Sequence, residues 1–207
     1  MKKKFAAAML LSALPFCFAW SLTIEEVCAA FSNHPVTAGT FFQTKTISSI
    51  KRDLQSSGMF VFCAEGIIWK TEKPFPSVLA VGNDVMVQIG ADEKKTVSDI
   101  SGNETFRNIV SALTSVFSND AERLKSNFDI SLEEKGGGKW SAVLFPKDKT
   151  IASVIDSIEL DGTVDSSGGA LRSVLICESS GDKIAYSFSD LRYPEELSAD
   201  EKALFSR

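Results

Sequence analysis

The sequence predicts an α+β domain: a large, strongly curled antiparallel sheet, with helices plugging the hollow of one face. Three observations carry this reading. Apolar residues recur at every second position through most of the chain, as in Phe60 and Phe62 or Ile184, Tyr186 and Phe188. The breaks between these runs hold only a few residues of turn chemistry, and a parallel crossover would need a dozen or more. Two segments carry apolar residues at helical spacing instead.

Met1 to Ala19 stand apart from the fold and read as a cleaved signal peptide. Lys2, Lys3 and Lys4 form a positive start, Phe5 to Cys17 form an apolar stretch too short for a comfortable span, and Cys17-Phe18-Ala19 offers small residues at a cleavage site. Cleavage takes the chain from 207 residues to 188, and the net charge from −5 to −8, because three lysines and no acids leave. Residues 20–207 then make a single domain in an oxidising compartment, the periplasm. That domain keeps Cys28, Cys63 and Cys177, an odd number, so at most one disulfide can close within it. Three buried thiols are the preferred reading. If a bridge exists, Cys63 and Cys177, both in strand-like runs, are the pair.

The elements follow in order. Thr23-Ile24-Glu25-Glu26 has capping-box spacing, and Ile24, Val27, Cys28 and Phe31 follow as one helical face. His34-Pro35 stops that helix and leaves His34 exposed at its end. Strands are expected over 40–50, 55–64, 66–71, 77–81, 85–89 and 94–98, with Val85, Val87 and Ile89 on one face of theirs. A second capping box, Ser101-Gly102-Asn103-Glu104, opens a helix whose stripe is Phe106, Ile109, Val110, Leu113, Val116 and Phe117. Asn119 and Asp120 begin a shorter helical turn through Lys125. Strands resume at Phe128, Ile130 and Leu132, turn at Gly136-Gly137-Gly138, and return through Trp140, Ala142 and Leu144. Val154, Ile158 and Leu160 share a face, Ser166 to Gly169 form a flexible loop, and strands follow over 171–178 and 184–188. Ser198-Ala199-Asp200-Glu201 is a third capping box, opening a short C-terminal helix. About ten strands are too many to stay flat. Two amphipathic helices cannot cover both faces, but they can line the hollow of one and leave an apolar cavity suited to a hydrophobic ligand.

Charge and composition exclude several functions. A net acidic chain does not neutralise phosphates, so nucleic acid is not the partner. A single histidine leaves no set of imidazoles for a zinc site or a His-based triad, and no cofactor or metal is expected. No serine lies in a G-x-S-x-G elbow, and the glycine run at 136–138 lacks the Lys-Ser/Thr of a phosphate loop. Adjacent acids such as Glu133-Glu134 read as solvated faces. The chain is therefore expected to bind and not to catalyse.

An ordered series of short motifs points further. Phe41-Phe42-Gln43-Thr44-Lys45 is followed by Ser57-Gly58-Met59-Phe60, by Gly66-Ile67-Ile68-Trp69 and by Glu72-Lys73-Pro74. Gly102-Asn103-Glu104-Thr105-Phe106 opens the middle helix, and Leu144-Phe145-Pro146-Lys147 ends a later strand. This succession resembles the LolA-type outer-membrane lipoprotein carriers, in a divergent LolA-like branch. Cys63-Ala64 stands where the LolA pattern has an Arg-Pro pair that latches the lid.

The resemblance implies an unclosed half β-barrel whose concave apolar side is lidded by helices. It implies a monomeric periplasmic shuttle that shields acyl chains of lipoproteins or other lipids between the inner and outer membranes. Its partners would be an inner-membrane ABC transporter and an outer-membrane acceptor. By motif position, Ile67 and Trp69 line the cavity with Phe60 and Phe62 beside them, while Phe106 lies on the lid helix with Ile109, Val110 and Leu113. A non-carrying adaptor in an envelope lipid or glycolipid pathway is the alternative.

Overall fold

The computed structural model describes residues 22–82, 85–99, 114–116 and 119–205. The expected signal segment, and Phe106, Ile109, Val110 and Leu113 of the expected middle helix, lie outside these residues.

Eleven antiparallel strands form one unclosed sheet. The first six are β1 (Val36–Ile47), β2 (Arg52–Cys63), β3 (Gly66–Lys73), β4 (Ser77–Gly82), β5 (Val85–Ile89) and β6 (Lys95–Asp99). The last five are β7 (Phe128–Gly136), β8 (Lys139–Pro146), β9 (Ile155–Asp165), β10 (Gly168–Glu178) and β11 (Lys183–Arg192). The spatial order is β6-β5-β4-β3-β2-β1-β11-β10-β9-β8-β7. Each half is a meander of neighbours in sequence, as short turns require. The halves join where β1 pairs with β11, with Phe41 opposite Phe188.

The sheet carries apolar side chains on both faces. The inner face bears one cluster from β3 round to β8, including Phe60, Ile67, Trp140 and Leu160. Four short helices are described. α1 (Ile24–Phe31) buries Ile24, Val27, Cys28 and Phe31 in that cluster. Its cap is the expected reciprocal one: the Glu26 N–H donates to Thr23 Oγ1 at 3.3 Å, and the Thr23 N–H donates to Glu26 Oε2 at 2.9 Å. Glycine makes room for the rings beneath. A Cβ at Gly169 would come within 2.5 Å of Phe31, and one at Gly162 within 2.5 Å of Trp140. α2 (Ala121–Asn127), capped by Asp120, adds Leu124, and its Lys125 bridges to Glu25 of α1. α3 (Lys149–Ala152) is a single turn capped by Asp148 that buries Ile151.

The outer face is covered over β2–β5. Val61, Ile68, Ala80, Val85 and Val87 form a second cluster with Leu197, Leu204 and Phe205, contributed by α4 (Ala199–Leu204) and its flanks. Val85, Val87 and Ile89 do share a face, and it is this one.

Several expectations are corrected. β1 starts at Val36 rather than at residue 40, because Val36 and Ala38 pair opposite Cys63 and Val61, although Thr37-Ala38-Gly39 has weak strand propensity. Ser166 to Gly169 are not a flexible loop; β9 runs to Asp165, and β10 starts at Gly168, where small residues admit Phe31. Val154 does not share the Ile158 face. It precedes β9 and is half-exposed, while a register shift near Asp156 brings Ile155 inward instead. His34 is half-buried, its ring stacked 3.7 Å from that of Tyr193. The turn α3 had no periodic signal, since it is only four residues long.

Cys28, Cys63 and Cys177 are all free thiols, and Cys177 is only half-buried. Burial pushes the Cys28 thiol up to about 11, with the Glu25 and Asp120 charges adding to it. Burial, followed by a hydrogen bond with Glu65, pushes Cys63 up to about 12.

Two outcomes are expected. Thr23→Ala removes the α1 cap and should cost about 1 kcal/mol in urea unfolding. For the thiols the sign follows from linkage: unfolded Cys28 and Cys63 ionise from about pH 8.5, while the folded thiols hold their protons to about 11 and 12. Stability should therefore be unaffected by these groups below that range and fall as pH rises through it. Urea midpoints of wild type and Cys28→Ser/Cys63→Ser at pH 7 and 10 measure the difference.

Candidate functional site: an aromatic floor on the inner face

Alternation along four neighbouring strands builds the site. On β2, Phe60 and Phe62 point inward while Val61 and Cys63 point outward. On β3 the inward pair is Ile67 and Trp69, with Ile68 outward. β1 contributes Phe41, and β11 contributes Tyr186 and Phe188. Ring centroids lie 4.7 Å apart for Phe60–Phe62, 4.5 Å for Phe41–Trp69, 4.8 Å for Phe60–Phe188 and 5.0 Å for Trp69–Tyr186. These tilted and edge-on arrangements are the favoured ones for aromatic pairs.

One glycine permits the tightest contact. Phe60 and Phe188 sit on strands separated by β1, and the β1 residue opposite Phe60 is Gly39. A Cβ there would lie 2.9 Å from the Phe60 ring and 2.7 Å from the Ser189 carbonyl oxygen. Its absence lets the two rings close over the strand between them.

Phe41, Phe60, Phe62, Ile67 and Phe188 are buried, while Trp69 and Tyr186 are half-buried. The floor ends in a polar pair, Lys45 Nζ to Glu178 Oε1 at 3.2 Å, both part-buried. Burial pushes the Tyr186 phenol up to about 12, helped by the Glu178 charge, so it stays neutral across the physiological range. Such a surface suits methylene chains. It offers wide apolar area with few polar atoms needing partners, and each methylene withdrawn from water contributes about 0.8 kcal/mol.

Of the residues singled out from sequence, Phe60, Phe62, Ile67 and Trp69 come together here. Phe106, Ile109, Val110 and Leu113 lie outside the described residues. Sequence reasoning missed Phe41, Tyr186 and Phe188. Their alternation is legible, but the pairing of β11 with β1 across the whole chain is not. Among the described residues, no cluster of His, Cys, Asp or Glu could hold a metal ion, and no helix is long and apolar enough to cross a membrane.

The family model described as outer membrane lipoprotein carrier protein LolA matches residues 33–205. A DUF1329 family protein from Desulfovibrio piger shares the fold, with a TM-score of 0.50 at 12% identity, over 84% of this chain and 92% of that one. A LolA superfamily protein from Nitrosomonas europaea aligns with a TM-score of 0.45 at 8% identity, over 90% of this chain and 99% of that one. Among curated sequences, a proteasome subunit beta from Methanobrevibacter ruminantium is 24% identical over 149 residues, covering 68% of this chain and 69% of that one. A likeness of that degree does not place the chain in that protein's family.

Gly39→Val should force the Phe60 and Phe188 rings apart. Overpacking of this kind costs about 1–3 kcal/mol, read as a lowered urea midpoint.

Proposed function

The chain belongs to the outer membrane lipoprotein carrier protein LolA family, and from that premise we propose that it shields the acyl chains of a lipoprotein or related lipid and ferries them through the periplasm from inner to outer membrane. The observation that carries this reading is the aromatic floor shared by β1, β2, β3 and β11. It is broad, it lies on the face that α1 also packs against, and its half-buried members Trp69 and Tyr186 give an amphiphile a place to start. Phe106, Ile109, Val110 and Leu113 belong to the same proposal, as further residues that would contact the acyl chains. Loading comes from an inner-membrane ABC transporter and delivery goes to an outer-membrane acceptor. A carrier must release its cargo, which disfavours a very tight pocket.

A dansyl-labelled undecanoic acid tests this directly. The mature protein should bind it at micromolar concentration, with a blue shift of the dansyl emission. Trp69→Glu should weaken binding at least tenfold while leaving the far-UV circular dichroism unchanged. Absence of binding by the wild-type protein would defeat the carrier reading. Mass spectrometry of lipid co-purifying with the protein names the cargo.

A further inference from the structure

The β10–β11 ladder runs from Cys177 opposite Lys183 to Ser173 opposite Ser187, and there it stops. Both strands continue. β10 stays paired with β9 as far as Gly168 opposite Asp165, and β11 stays paired with β1 as far as Arg192 opposite Ala38. The two strands part in the middle of an otherwise continuous sheet, and a cavity of about 360 Å³ occupies the parting.

Each strand carries a bulge at the level where they part. On β10, Leu171 faces Gly162 and Ser173 faces Asp161, so Arg172 is the extra residue. On β11, Ser189 faces Thr40 and Arg192 faces Ala38, so Asp190 and Leu191 together face Gly39. Asp190 has a φ of 51°, in the left-handed region. Bulges re-aim side chains and end pairing, and here both put a charged residue on the wall of the same cavity, Arg172 on one side and Asp190 on the other.

These two charges do not neutralise one another. Arg172 forms no ion pair among the described residues, and Asp190 Oδ2 accepts hydrogen bonds only from Thr40 Oγ1 at 2.8 Å and Ser189 Oγ at 3.5 Å. His34, stacked on Tyr193, closes the end of the cleft beside Asp165. Phe188 lines both this cleft and the aromatic floor.

We infer that the parting between β10 and β11 binds a small zwitterionic head group, with its anionic phosphate or carboxylate on Arg172 and its ammonium on Asp190. Arg172 and Asp190 are both exposed and Asp165 lines the same cleft, so a molecule that carries both signs can pair with both walls, where a head with one sign pairs with one. Where the head belongs to a lipid, its acyl chain runs past Phe188 onto the floor; that part rests on the carrier reading, and the head-group site itself does not.

The chain's single histidine makes the test specific. The imidazole carbon-bound proton signals of the mature protein report this cleft alone. Phosphoethanolamine should shift them saturably, and lysophosphatidylethanolamine should do so at least tenfold lower concentration. Glycerol phosphate and lysophosphatidylglycerol, which lack the ammonium, should need at least tenfold more than their zwitterionic counterparts. Arg172→Gln at an exposed position, and Asp190→Asn, which keeps a residue tolerant of the left-handed backbone, should each weaken phosphoethanolamine at least tenfold. No saturable shift with phosphoethanolamine, no preference for the zwitterions, or no effect of either variant would each overturn the site. Loss of dansyl-acyl binding with the phosphoethanolamine response intact would defeat the carrier reading alone. Equal response to lysophosphatidylethanolamine and phosphoethanolamine would defeat the tail path.

Discussion

The pairing of β1 with β11 is the constraint on which the rest depends. It brings together Thr40 and Ser189, which are 149 residues apart, and makes one sheet of two meanders whose other strand pairings all join neighbours in sequence. The aromatic floor spans that seam, with Phe41, Phe60, Phe62, Ile67 and Trp69 on one side and Tyr186 and Phe188 on the other. Gly39 lies in the seam as well, which is why one missing Cβ governs the packing of residues from both ends of the chain. The Asp190 bulge belongs to the same ladder and sets where β11 leaves β10.

The two faces of the sheet are built for different work. Outward residues of β2–β5 pack with Leu197, Leu204 and Phe205, with a cavity of about 300 Å³ left between Val61, Ile68, Val78, Ile89 and Leu204. The inward residues are rings and branched chains of larger area, set above small residues at Gly39, Gly162 and Gly169 that let them lie flat against the backbone. Period-two alternation thus gives the two faces separate apolar clusters, one branched and one aromatic.

Much of this was legible in the sequence, and for reasons that are local. The Thr23 and Ser198 capping boxes are complete motifs within four residues, and both form as expected. The hairpins follow from alternation and turn residues, so the fold class and the shared face of Phe60 and Phe62 could be read directly, while the place of Ile67 and Trp69 came from the motif resemblance. What escaped was non-local or cooperative. The start of β1 at Val36 is dictated by its partner Cys63, not by Thr37-Ala38-Gly39. The inward turn of Ile155 depends on a register shift against β10, and Tyr186 and Phe188 reach the floor only because the last strand inserts beside the first.

The position of β11 also gives the folding reaction a direction in time. During synthesis β1 to β6 are complete long before residues 183–192 exist, and β1 then presents twelve residues of unpaired backbone edge beside exposed aromatic rings. Closing that edge needs a contact across most of the chain, a slow step in sheets of high contact order. An open edge next to apolar surface is the geometry that recruits other chains. The same insertion that completes the aromatic floor therefore sets how long the β1 edge stays unpaired, until the last strand arrives.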